Sequence, residues 1–194
     1  RKIKNPPAEG CIGIVIKAGK DNSGDWMDDC LYKFKDGKTD MTTIHGYVLA
    51  LNEGNGGYIC KWSSSGTLID NTGMMNRDQY TGFYGYKNTQ AIILFNKKNN
   101  GDLSSAFPAA YHATAGYEAV YPAPRYSSGW FLPSAGQDQY WLDNKKALLV
   151  YIKNIKGKES SGWKEDYFYW SSSEYSGEPA DYAWCVYFSG WGYI

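Results

Sequence analysis

The stretch Gly129-Trp130-Phe131-Leu132-Pro133-Ser134 constrains this chain more than any other. An aromatic run stops at a proline, which cannot donate to a strand ladder or sit inside a helix. The next residue, Ser134, is followed three places later by Gln137. That spacing is a capping box, in which the serine accepts from the third helical N–H and the glutamine reaches back to the cap. A helix is expected from here to about Ile155, closed by Gly157 as a C-terminal cap. Trp141, Leu148, Ile152 and Ile155 share one stripe of it, spaced seven, four and three apart, with Lys145, Lys146 and Lys153 off that stripe or at its edge. A second segment, Tyr169-Trp170-Ser171-Ser172-Ser173-Glu174, joins an aromatic strand to a row of hydroxyls. Both segments read as scaffold.

The remaining elements are placed around these two. Residues 1–10 combine basic residues with Pro-Pro and Gly, and read as a linker or lead-in arm. The β-branched run 11–16 predicts a strand, paired with a second over 45–51. Residues 18–43 read as a loop with a short strand over 31–34, and 58–62 as a third strand. Residues 67–86 read as irregular. A short helix is expected over 90–98, its apolar side formed by Ala91, Leu94 and Phe95, and another over 107–115 with Pro108 in its first turn. Strands are expected over 167–172 and 183–188, joined by a loop over 173–182. In the latter strand Trp184, Val186 and Phe188 share one face and Cys185 and Tyr187 the other. No internal repeat is read. The order gives an α+β domain over 11–194.

Composition narrows the class. The chain has 194 residues, 43% hydrophobic, enough for a sizeable core. Its formal net charge of zero argues against nucleic acid and gives no polybasic membrane signal. No apolar run is long enough to span a bilayer, so membrane attachment is expected only through a missing N-terminal anchor or a partner domain. Arg1 is not an initiator methionine, and the chain reads as a piece of a longer precursor. Cys11, Cys30, Cys60 and Cys185 lack C-x-x-C spacing. They allow three pairings, and both buried free thiols and one or two disulfides of a secreted protein stand.

Six segments, in order, resemble the DUF1566 family, which includes the C-terminal domain of the Legionella collagen-like adhesin. They are residues 45–51, Asn88-Thr89-Gln90-Ala91-Ile92, Phe107-Pro108-Ala109-Ala110, the Trp-Phe-Leu-Pro stretch, the Tyr-Trp-Ser-Ser-Ser-Glu stretch, and Ala183-Trp184-Cys185-Val186-Tyr187-Phe188-Ser189-Gly190. The resemblance implies a C-type lectin-like fold: a twisted antiparallel sheet with two main helices. It implies an extracellular or outer-membrane binding module of a bacterial surface protein, as in Bacteroidales. Such modules occur at fimbrial tips or on lipoproteins, and some are diversified by retroelements. The family continues past its Phe-x-x-Gly strand into a last strand. Here Trp191-Gly192-Tyr193-Ile194 is either a shortened end or a remnant of that strand.

Calcium-type lectins place Glu-Pro-Asn in their metal cage. Glu178-Pro179-Ala180 lacks the third ligand, and Asp21-Asn22-Ser23-Gly24-Asp25 lacks the glutamate that would complete a calcium loop. Neither metal nor cofactor is expected. The histidines, His45 and His112, have no nucleophile beside them in sequence, and Cys185 lacks the near partner used by formylglycine-generating enzymes of related fold. No enzymatic activity is expected, with that enzyme type kept as an alternative. From Tyr167 to Ile194, 11 of 28 residues are aromatic, and the charges are Glu174, Glu178 and Asp181. Rigid aromatics with Ser and Gly between them have the chemistry of a binding surface. The segment 173–194 is therefore expected to display Tyr175, Tyr182, Tyr187, Trp191 and Tyr193 to a protein or glycan ligand on a host or bacterial surface. Trp170, Trp184 and Phe188 are expected in the core. The other alternative is a fimbrial or pilus assembly subunit whose aromatic face docks a neighbouring subunit.

Overall fold

A computed structural model of the chain describes residues 10–22, 32–66, 69, 82–156, 163, 167–187 and 190–193. Strands β1 (Gly13–Asn22) and β2 (Thr43–Ala50) form an antiparallel pair. Six helices follow: α1 (Gly85–Lys98), α2 (Leu103–Ala106), α3 (Pro108–Ala113), α4 (Ala115–Val120), α5 (Ala135–Asp143) and α6 (Lys145–Lys156). A second antiparallel sheet takes β3 (Tyr169–Glu174), β4 (Ala183–Tyr187) and β5 (Gly190–Tyr193), with β4 central. The chain thus has the expected mixed α+β character, built from two small sheets and several helices. β5 pairs with β4 in the second sheet: Trp184 with Tyr193 and Val186 with Trp191. Ala183, Trp184, Cys185 and Val186 are all buried, because β4 is covered on both faces.

Several elements differ from the sequence expectation. The main helix is two helices. At Asn144 the backbone leaves helical geometry (φ −107°, ψ 10°), and the Asn144 side chain donates to Tyr140 O. Asparagine competes in this way with helical hydrogen bonding. The apolar stripe survives the break, since Trp141, Leu148 and Ile152 are all buried. Helix α1 begins at Gly85 rather than Gln90, and Leu94 is 63% exposed. Its buried side holds Tyr86, Asn88, Thr89, Ile92 and Asn96. The helix expected over 107–115 is α3, with Pro108 in its first turn, and two further short helices flank it, α2 ending before Phe107 and α4 starting after Thr114. Residues 58–62 form no strand, and Ile59 is 91% exposed. Around 31–34 the only pairing among described residues is the isolated bridge Lys33–Asp40. Cys30 and Phe188 lie outside the described residues, as do 1–9 and 157–162. Cys11, Cys60 and Cys185 are free thiols.

The start of α1 and its buried Thr89 meet a polar turn. Ser134 Oγ accepts from the N–H groups of Tyr84 (3.2 Å) and Gln137 (3.4 Å), and donates to Gly82 O (2.6 Å). Gln137 Oε1 accepts from Ser134 N (3.0 Å) and Gly85 N (3.1 Å). One capping box therefore serves two helix starts. Thr89 Oγ1 donates to Leu132 O and accepts from Leu132 N, both at 3.1 Å. A Cβ on Gly85 would stand 2.1 Å from Gln137 Oε1, so only glycine fits there. On the other side, Ser172 N donates to Pro133 O (2.7 Å) and Ala135 N to Ser173 Oγ (3.2 Å). The 132–137 turn thus knits α1, α5 and β3 together.

Breaking this turn strands buried donors. Ser134→Ala and Gln137→Ala are each expected to lower unfolding stability by about 1–3 kcal/mol in chemical denaturation. Because they share partners, the double variant should lose less than the sum, by at least about 0.5 kcal/mol. Strict additivity would show that the two side chains act separately.

Candidate functional site

The second sheet builds the site through an irregularity in β3. Trp170 pairs with Cys185, and the next pair is Glu174 with Ala183. Four residues on β3 thus span two on β4, so 171–173 bulge out of the ladder. Their backbone groups bond elsewhere. Ser172 N goes to Pro133 O, as above, and Ser171 O accepts from the indole N–H of Trp62 at 2.8 Å. Trp170 makes the reciprocal bond, donating its indole N–H to Cys60 O at 2.9 Å. Two tryptophans thereby clasp the 60–62 segment to β3.

The clasped segment is held from both sides. Ala109 N donates to Lys61 O (3.2 Å) and Ser64 N to Ala106 O (2.8 Å). Trp62 meets Phe107 edge-on at 6.1 Å and packs on the core cluster of Ile92, Phe107 and Ala110. Further along, Ile69 N donates to the carboxylate of Glu174 (2.9 Å), which is fully buried at the end of β3. Residues 60–62 and Ile69 are therefore tied to β3 at both ends of the bulge.

Between this strap and residues 179–183 lies an open cleft of about 240 Å³. It is lined by Lys61, Trp62, Ser63, Ser65 and Gly66 of the strap, by Trp170 of β3, and by Pro179, Ala180, Asp181, Tyr182 and Ala183. Tyr182 N and Asp181 N both donate to Glu178 O, forming the turn that carries this last group. Tyr182 is 38% exposed, and its carbonyl accepts from Tyr175 N at 2.9 Å. The strap approaches closely here: a Cβ on Gly66 would stand 2.7 Å from Asp181 Oδ1.

The expected display residues separate into different settings. Tyr182 lines the cleft. Tyr175 is half-buried, with its ring edge-on to Trp184 (5.2 Å) and to Tyr182 (6.5 Å). Tyr187 is half-buried beside the exposed Phe168, ring centroids 5.1 Å apart. Trp191 and Tyr193 sit in β5 by their backbones, and their side chains lie outside the described residues. Trp170, expected in the core, is half-buried and lines the cleft. Trp62, Lys61, Ser63 and Ser65 escape sequence reasoning because 58–62 reads as a strand. One signal was present: Trp62-Ser63-Ser64-Ser65 and Trp170-Ser171-Ser172-Ser173 are the same tetrapeptide, and their tryptophans form the clasp.

The groups relevant to catalysis sit elsewhere. His45 is exposed on β2. His112, on α3, packs against Gly54 and edge-on to Tyr111, and partial burial lowers its pKa. Cys185 is fully buried in β4. Burial, with the nearby Asp138 carboxyl adding to it, pushes the Cys185 thiol up to about 11. A thiol held protonated is a weak nucleophile at neutral pH. Asp138 is itself fully buried. Its Oδ1 accepts from the Trp141 indole N–H at 2.9 Å, and Oδ2 has no hydrogen-bond partner among the described residues. Desolvation raises its pKa well above the carboxylate range, against a smaller opposing effect of the Trp141 bond.

This carboxyl predicts a pH dependence. Its folded pKa exceeds its unfolded one, so the native state holds the extra proton between the two. Stability is fully present below the ordinary aspartate range and falls as pH rises through the folded pKa, by up to about 1.4 kcal/mol per pH unit. Asp138→Asn keeps the acceptor for Trp141 and cannot ionise. It should be more stable than the native chain at neutral pH, and denaturation series across pH should show a flatter profile. An unchanged slope would remove Asp138 as its source.

No protein-family model and no curated protein matches the sequence. Among solved structures, the chain resembles a fimbrial protein from Bacteroides ovatus ATCC 8483, with a TM-score of 0.65 at 16% identity. The match covers 98% of this chain and 42% of that one, so the chain spans less than half the length of the protein it resembles. The likeness is one of fold.

Proposed function

We propose that this chain is an extracellular, non-enzymatic binding domain of a bacterial surface protein, of the DUF1566 adhesin type and C-type lectin-like in fold. The cleft between residues 61–66 and 179–183 is its ligand site. One observation carries the reading. The Trp62–Trp170 clasp fixes two aromatic side chains in an open cleft that Tyr182 and Asp181 complete. Rigid aromatics held before the ligand arrives lower the entropy cost of binding. The ordered family-like segments and the fold shared with a fimbrial protein support a surface location. Among the described residues no helix is long and apolar enough to cross a membrane. Arrays of surface proteins and glycans should capture the native chain, and Tyr182→Ala should weaken capture at least about tenfold, as loss of an aromatic anchor does. A chain silent on every array, or capture indifferent to Tyr182, would sink the site.

The likeness to a fimbrial protein favours a second reading, in which the chain is a fimbrial assembly domain without an external ligand. Deleting it should then strip fimbriae from cells, and Tyr182→Ala should leave assembly and adhesion untouched. Fimbriae that persist after deletion exclude this reading.

A further inference from the structure

We propose that the cleft takes a neutral saccharide, with a sugar ring stacked on an indole face and no metal ion between ligand and protein. This rests on the cleft being the ligand site, and adds the chemical class of the ligand. The first support is the state of the two indoles. Both N–H groups are consumed by backbone carbonyls, Trp62 on Ser171 and Trp170 on Cys60. What the rings offer the cleft is therefore flat carbon surface. A sugar ring presents C–H groups on its faces, which suit such a surface, and hydroxyls around its edge.

The second support is the rim. Lys61 is donor-only and Asp181 acceptor-only, and both line the cleft with the serine hydroxyls of the strap. Neither charged side chain is in an ion pair or side-chain hydrogen bond among the described residues, so both heads remain available to a ligand. The pair carries no net charge, so an anionic or cationic ligand gains from one what it loses at the other. A hydroxyl both donates and accepts, and can use the two at once.

The third support is size. The volume of about 240 Å³ lies just below the range of roughly 300–1,000 Å³ typical of small-molecule sites. It suits one or two sugar rings. Specific protein partners instead bury on the order of 800 Å² of each surface. The donor set is also unlike a calcium cage, which gathers six to eight oxygens on one ion.

The test is a titration of the ¹⁵N-labelled chain with cellobiose, maltose, lactose and diacetylchitobiose at millimolar concentration. It follows the indole N–H resonances of Trp62 and Trp170, assigned from Trp62→Phe and Trp170→Phe. At least one disaccharide should move both resonances saturably, equally well with EDTA present. Tyr182→Ala and Asp181→Ala should each weaken that binding about tenfold or more, or about 1.4 kcal/mol, without lowering the melting temperature. Shifts abolished by EDTA would overturn the metal-free assignment. If no saccharide moves the indoles while a deglycosylated surface protein still binds through Tyr182, the sugar assignment falls and the binding site stands. If neither class of ligand binds, both fall.

Discussion

The structure depends on one polar turn. Ser134 and Gln137 satisfy not only the start of α5 but also the backbone N–H groups of Tyr84 and Gly85, where α1 begins. Helix starts leave N–H groups without intrahelical partners, and these starts are buried, so water cannot serve them. An isolated capping box contributes about 1 kcal/mol. Here its loss would also strand donors of a second helix in the interior. That is also why α1 buries Thr89, whose hydroxyl bonds both Leu132 O and Leu132 N. At that position the partner of the helix is backbone, and the contact is made of hydrogen bonds.

The same turn prepares the cleft. Pro133 cannot donate, but its carbonyl takes the Ser172 N–H, and Ser173 Oγ takes Ala135 N–H. These bonds draw 171–173 out of register with β4. A bulged strand bends and exposes backbone groups that a ladder would have used. Ser171 O is one such group, and Trp62 finds it. The row of serines is therefore a structural joint. Small side chains allow the close approach, and their hydroxyls substitute for missing ladder partners: Ser171 Oγ accepts from Ser173 N at 3.1 Å.

What was legible in the sequence was local. The Ser134–Gln137 spacing announces a helix start because its chemistry spans one turn. The strands expected at 11–16, 45–51 and 183–188 announce themselves through β-branched and aromatic runs, whereas the continuation of β1 through Lys17–Asn22 carries no such run and reads as loop. What failed depended on distant partners. Nothing in the apolar stripe from Trp141 to Ile152 marks Asn144 as a break, because the stripe continues across it. Tyr58, Cys60 and Trp62 alternate like a strand, but the clasp with β3 bonds Cys60 O and the Trp62 indole, while Tyr58 N turns back to Asn55 O. Alternation also places Trp170 in the core, whereas the bulge following it turns this position towards the cleft.

The clasp has a consequence for separating structure from binding. Trp62 and Trp170 serve both. Each has one part of its ring against the protein and its N–H on a backbone carbonyl, while another part faces the cleft. Removing either opens the strap, leaves a carbonyl without its donor, and removes ligand surface at once, so the resulting loss cannot be divided between the two causes. Tyr182, Asp181 and Lys61 are exposed on the rim. Binding energy is therefore measurable on the rim, while the geometry that makes binding possible resides in the bulge and the turn beneath it. A ligand that tightens the strap against β3 should raise the melting temperature through that shared structure, since binding to the folded form alone stabilises it by mass action.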